Sequence, residues 1–248
     1  MRRLPALLLP LLLVSPVAAD VAELSKKLRS DDAEVRRSAA IELGEGGAKA
    51  VKPLVGALKD SDLYVRRNAA QALGKIGPPA AEAIPALEEM LGETRTGARQ
   101  AAIKALARMG PSAIPALSKA AAKDQASDVR EKAVEALSKA GMPGLPALLV
   151  VLKEPGTDIG LRQQALEGVR SIGEPAAPTA VPVLADLVKD RRARGLQQQA
   201  IPLLGVLAKP ADSTALAVLD GIANDEKLRD MRLKKLCADT AKRIRAKK

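Results

Sequence analysis

Five arginines recur at almost constant intervals. Arg36, Arg66, Arg99, Arg130 and Arg162 follow one another at spacings of 30, 33, 31 and 32 residues. A guanidinium offers a rigid fork of donors that fits carboxylate or phosphate oxygens. A regular column of them is therefore a candidate track for an anionic ligand. One and five positions after each arginine stands a second set of polar residues: Arg67 and Gln71, Gln100 and Lys104, Glu131 and Glu135, Gln163 and Glu167. Residues four apart are neighbours on a helix. These pairs can line a continuous strip that contacts a partner, or form an ordinary solvated face, and the solvated face is the simpler expectation. Along the strip, character changes from basic at the amino end to acidic and Gln-rich at the carboxyl end. Such a gradient would orient a charged partner.

Other chemistry is excluded by composition. There is no His, so no His-based metal site, Ser–His or Cys–His pair or imidazole acid–base is available. Cys237 is the only cysteine, so no intrachain disulfide forms. It is expected to be a buried small apolar residue of the last helix, with intermolecular pairing as the alternative. Glu131 and Glu135 are a conceivable carboxylate pair, but nothing in the sequence points to a desolvated pocket that would shift their protonation. The expectation is a chain that is not an enzyme and takes neither metal nor cofactor.

The elements that hold these residues repeat. Val35-Arg36-Arg37-Ser38-Ala39-Ala40-Ile41-Glu42-Leu43-Gly44 returns as Val65-Arg66-Arg67-Asn68-Ala69-Ala70-Gln71-Ala72-Leu73-Gly74. It returns again after Ala98, Val129 and Leu161, fades near Leu196 and is barely visible near Met231. A second phrase precedes each: Ile84-Pro85-Ala86-Leu87, Ile114-Pro115-Ala116-Leu117, Leu145-Pro146-Ala147-Leu148, Val181-Pro182-Val183-Leu184. Seven units at that period mean a solenoid. Each unit reads as two helices: Pro opens the first, an acidic turn follows, and Gly closes the second. Asp31 with Glu34 suits a capping box. Pro202 falls inside the second helix of the sixth unit, where a kink is expected.

Aromatic residues are almost absent. Tyr64 is the single one, and there is no Trp or Phe. Thin layers that pack only on their neighbours tolerate so small-chained a core. Formal charge is +11, or +9 without residues 1–19, which suggests acidic partners. Ten of the basic residues lie between Lys227 and Lys248, against Asp230 and Asp239. Within that tail Lys234, Lys235, Lys242, Arg243, Arg245, Lys247 and Lys248 are candidates for docking on an anionic envelope surface, with a solvated capping helix as the favoured alternative.

Residues 1–19 have the layout of an export signal. Arg2 and Arg3 precede a short apolar run, Leu4 to Val14, and small residues lead to a cut after Ala19. An uncleaved anchor is the alternative. With cleavage, residues 20–248 form a periplasmic or secreted solenoid with no transmembrane span.

The phrase Asp-x-x-Val-Arg, from Asp62 to Arg66, and its variant Asp128-Val129-Arg130 are each followed by Ala and then Leu-x-x-x-Gly. They resemble HEAT-like repeat proteins of the phycobilisome-lyase type, over nearly all of residues 20–248. The resemblance implies an all-α, right-handed α-α superhelix, a HEAT/armadillo-like solenoid of about seven helix pairs, whose second helices line the concave face. It implies that Arg36, Arg66, Arg99, Arg130 and Arg162 belong to an inter-repeat ladder with turn acids, and this reading is preferred to the anion track. Three enzyme groups share the architecture. Bilin lyases act on a cytoplasmic pigment system, deoxyhypusine hydroxylases need His-Glu iron motifs, and HEAT-like DNA glycosylases use aromatic and basic residues. None of these fits, so the resemblance implies a scaffold that binds a protein partner. Nucleic acid is not an expected partner.

Overall fold

The computed structural model describes the backbone of residues 16–154, 156–190 and 194–247, and side chains from residue 21 onward. Fourteen α-helices pair in chain order: α1 (Pro16–Lys27) with α2 (Ala33–Glu42), α3 (Val51–Ala57) with α4 (Leu63–Ile76), α5 (Ile84–Met90) with α6 (Thr96–Leu106), and α7 (Ile114–Lys123) with α8 (Ser127–Lys139). Then come α9 (Leu145–Lys153) with α10 (Ile159–Ile172), α11 (Ala177–Lys189) with α12 (Arg194–Leu207), and α13 (Ser213–Ala223) with α14 (Met231–Arg245). No strand occurs among the described residues. Seven pairs stacked in sequence make a right-handed α-α superhelix.

The expected export signal lies mostly outside the described residues, which begin at 16. The expected cut after Ala19 falls inside α1. No helix among the described residues is long and apolar enough to cross a membrane.

Turn chemistry sets the helix boundaries. Asp62 Oδ1 accepts the backbone N–H groups of Tyr64 and Val65 at 2.9 and 3.0 Å, and Asp158 Oδ1 accepts those of Gly160 and Leu161 at 2.8 and 3.3 Å. Each satisfies donors that the first helical turn leaves open. At the first pair the cap is Asp32, not Asp31 as the capping-box pattern suggested, because α2 begins at Ala33. Asp32 accepts from the Glu34 N–H at 2.8 Å, and the Glu34 carboxylate turns to Arg37 instead. Gly77 and Gly173 close α4 and α10 with φ of 74° and 73°, a left-handed conformation without the steric penalty that a Cβ brings.

One proline behaves differently from expectation, while Pro202 lies inside a second helix as expected. Pro182 does not open a helix: α11 already starts at Ala177 with Pro178 in its first turn, and Pro182 lies within it. Helix α12 continues through Pro202 from Arg194 to Leu207.

The core is a chain of thin aliphatic layers. Val65, Ala69 and Leu73 of α4 meet Leu54 of α3, all fully buried; Val129, Ala133 and Leu137 of α8 with Leu117 of α7 repeat the arrangement. Small residues also set the spacing between consecutive second helices. A Cβ added to Gly74 of α4 would lie 2.8 Å from Ala105 Cα of α6, and one on Gly44 would lie 3.3 Å from Ala72 Cα. The second helices form one layer, in which α2, α4, α6, α8, α10, α12 and α14 each pack on the next. In the amino-terminal half these helices approach more closely than the first helices do.

Candidate protein-binding face

Three of the five column arginines are tied into the joints between units, whereas the bonds of Arg130 and Arg162 stay within their own pairs. Arg36 grips Asp60 of the following pair with two bonds, 2.8 and 3.0 Å, and Arg66 grips Glu93 with two at 2.8 Å. Arg99 reaches Asp124 at 3.1 Å. In each case Nη1 also donates to two carbonyls, five and six residues back, in the turn that joins the two helices of its own pair: Ser30 and Asp31, Asp60 and Ser61, Glu93 and Thr94. Arg130 makes the same carbonyl pair with Asp124 and Gln125, and Arg162 Nε donates to the Leu152 carbonyl at 2.9 Å. Arg36, Arg66, Arg99 and Arg130 thus pin the turn within their own pair, and Arg162 holds the last turn of α9.

The strip one and five positions after these arginines divides into two parts. Residues at the first position point into the joints. Gln100 donates to the Asp128 carboxylate of the next pair. Arg67 is partly buried, its guanidinium 5.9 Å from the Tyr64 ring, and its Nε has no hydrogen-bond partner among the described residues. Gln163 is partly buried, whereas Glu131 is exposed and its carbonyl accepts the Gln164 amide at 3.2 Å. Residues at the second position, Gln71, Lys104, Glu135 and Glu167, are exposed. Glu167 lies 3.5 Å from Arg170.

Gln71, Lys104 and Glu135 come together around one trough of about 750 Å3 that crosses α4, α6 and α8. Gly74, Ala105 and Ala136 lie among its lining residues, at positions where the helices are in close contact, and longer side chains rise from them. Three of the other lining residues, Lys75, Arg108 and Lys139, stand nine positions after Arg66, Arg99 and Arg130. They extend the stripe by one more step of four, a column the sequence reading stopped short of. Lys132 completes the set.

The charge of this face therefore differs from the expected gradient. Five basic residues and one acid, Glu135, surround the trough. Glu131 and Glu135 do not act as a like-charged pair, because Glu135 accepts from Lys139 at 2.5 Å and that bond holds its carboxyl below the ordinary range. Lys75 pairs with Glu45. Lys104, Arg108 and Lys132 make no ion pair among the described residues, although the Lys132 charge acts on Glu135.

The basic tail is partly committed elsewhere. Arg245 pairs with Asp220 of α13, and Lys247 donates to the Val206 and Ala208 carbonyls at 2.6 and 2.7 Å, at the end of α12. Lys235, Lys242 and Arg243 are exposed and Lys234 is partly so, while Lys248 lies outside the described residues. Cys237 is fully buried, and burial pushes its thiol up to about 11.

Stacked helix pairs with a continuous second-helix layer define an α-helical repeat protein whose working surface spans several units. Sequence comparison gives the family: residues 21–107 and 94–167 match HEAT repeats, and the chain belongs to the HEAT-repeat family. Phycocyanobilin lyase subunit alpha of Picosynechococcus sp. is 44% identical over 72 residues, 29% of this chain and 25% of that protein. The chain thus spans about a quarter of the length of that curated relative. An engineered protein aligns over 91% of this chain and 68% of its own at 23% identity, with a TM-score of 0.51. The complex of CpcE and CpcF of phycocyanin lyase from Nostoc sp. PCC7120 aligns over 97% and 99% at 24% identity, with a TM-score of 0.47. Over those 72 residues the repeats are similar to those of a phycobilin lyase subunit, in line with the resemblance read from the sequence. The lyase relative also overturns the expectation of a chain outside the enzymes. Absence of His removed several catalytic groups, but it did not remove kinship with a lyase subunit.

Proposed function

We propose that this chain is an exported HEAT-repeat solenoid that holds a protein partner against the layer of its second helices. The observation that carries the reading is the trough across α4, α6 and α8, where Lys104, Arg108 and Lys132 make no ion pair among the described residues while Gln100 nearby is held by Asp128 of the next pair. A partner laid along this layer meets several units at once, so affinity accumulates from many modest contacts. Export is supported by Arg2, Arg3, the apolar run and the small residues before Asp20.

Site-specific photo-crosslinking in the native cell tests the binding face. A probe at Gln71 or Glu167 should yield a discrete adduct, and a probe at Glu88 on the first-helix layer should not. Equal labelling from both layers would remove the face. Export is tested by amino-terminal sequencing of the mature protein from fractionated cells, where Asp20 should be the first residue. A protein retained in the cytoplasm with Met1 intact would sink that part of the reading.

A further inference from the structure

Resting on that reading, we infer that the trough across α4, α6 and α8 recognises an acidic peptide segment of the partner, through Lys104, Arg108 and Lys132. Lys104 of α6, Arg108 of the turn that follows it and Lys132 of α8 border one concavity, so a single extended run of carboxylates reaches all of them. Lys75 and Lys139 flank them, already paired with Glu45 and Glu135. An incoming carboxylate can share or displace those exposed partners at little loss, since exposed ion pairs contribute only about 0–1 kcal/mol. The small residues Gly74, Ala105 and Ala136 keep the floor low, which lets a backbone approach between the cationic walls.

The shape and composition of the site select among anions. A flat bilayer cannot enter a trough between cationic walls. Nucleic acid strands are held without sequence preference by aromatic side chains on which bases stack. Tyr64, the only aromatic residue, is not among the lining residues. A carboxylate-rich peptide needs neither a plane nor a stacking platform. On α10 the equivalent positions are Glu167, which pairs with Arg170, and Ser171, so the basic stretch ends there and fixes where the segment lies.

The test uses the full chain and fluorescence anisotropy of a short labelled Glu-rich peptide, with a Gln-rich peptide of the same length as reference. The Glu-rich peptide should bind and the Gln-rich one should not. Lys104→Glu with Arg108→Glu and Lys132→Glu should weaken binding by about tenfold or more, the effect expected of several screened charge contacts together. Lys49→Glu with Lys52→Glu on the other layer should leave it unchanged. If the triple reversal impairs folding by circular dichroism, the triple Gln variant serves in its place. Binding untouched by either triple variant would overturn the inference. So would tighter binding of an oligothymidylate, or of phosphatidylserine vesicles, with the same dependence on these three residues. A crosslinked partner at Gln71 that the triple variant still captures would reject the acidic segment while keeping the protein-binding face. Loss of the Gln71 adduct in the parent chain would instead reject the face itself.

Discussion

The Arg37 guanidinium clasps Asp62 across the first joint, Nε to Oδ1 at 2.9 Å and Nη2 to Oδ2 at 2.6 Å, while the same Oδ1 caps α4. One carboxylate therefore starts a helix and ties two units together. Tyr64 lies beside the pair, with Arg37 stacked 4.7 Å from its ring centroid, although 52% of the residue is exposed. Arg36 and Asp60 make the second clasp of this joint.

The clasps predict an acid-sensitive amino-terminal end. The Arg37 hydrogen bond holds the Asp62 carboxyl well below the usual carboxylate range, against a smaller upward push from burial. For Asp60, burial pushes the carboxyl up, yet the bonds from Arg36 and the Asp62 N–H leave it lowered overall. Groups lowered in the folded state add stability above their unfolded value, about pH 4, and lose it as pH falls through the folded values. Urea midpoints should fall between pH 6 and pH 3, and the Asp60→Asn, Asp62→Asn double variant should show a flatter dependence. Parallel profiles would assign the acid sensitivity to other carboxylates.

Helix capping is separable from the clasps at Asp158, which accepts two backbone N–H groups at the start of α10. Asp158→Ala should lower stability by about 1 kcal/mol, and Asp158→Ser should restore most of it. Chemical denaturation followed by far-ultraviolet circular dichroism checks both.

Close packing of α4 on α6 makes Gly74 a sensitive position. Ala in a helix interior ordinarily stabilises by roughly 0.5–1 kcal/mol relative to Gly. Here the new methyl would press on Ala105 backbone, so Gly74→Ala should destabilise by about 1–3 kcal/mol. Ala105→Gly removes only a side chain and leaves the Cα in place, so it should rescue little. A stabilised Gly74→Ala protein would mean that α4 and α6 lie further apart.

Leu87, fully buried on α5, joins the layer beneath α6. Its truncation to Ala should cost about 2–5 kcal/mol through lost contacts and a cavity. A change below 1 kcal/mol, read from denaturation midpoints, would show that the layer collapses around the gap.

Cys237 should resist alkylation in the folded protein. It is fully buried and its thiol titrates only near 11, whereas the thiolate is the reactive form. Mass spectrometry after iodoacetamide treatment should find it unmodified until denaturant is added. Rapid modification of the native chain would place it at the surface.

Much of the architecture is set by interactions close in sequence. Period, two-helix units, glycine stops and aliphatic faces are all legible because a helix obeys a repeat of 3.6 residues and its ends obey the chemistry of one or two neighbours. The errors at this level were of register: Asp32 rather than Asp31 caps α2, and Pro178 rather than Pro182 lies in the opening turn of α11. A shift of one to four residues is what local pattern leaves undetermined.

What only the tertiary structure decided is how each polar residue is used once the units are stacked. Gln100 and Lys75 look free on their own helices, yet Asp128 of the next unit takes Gln100, and Glu45 of the preceding unit takes Lys75. Lys75 of α4, Arg108 just past α6 and Lys139 of α8 belong to three different units and become one basic border when those units are side by side. The sequence by itself determined the solenoid, because each unit is built from local rules. The charge of its second-helix layer was decided by contacts between residues about 25–30 positions apart, and these depend on the stagger between helices, which no local periodicity encodes.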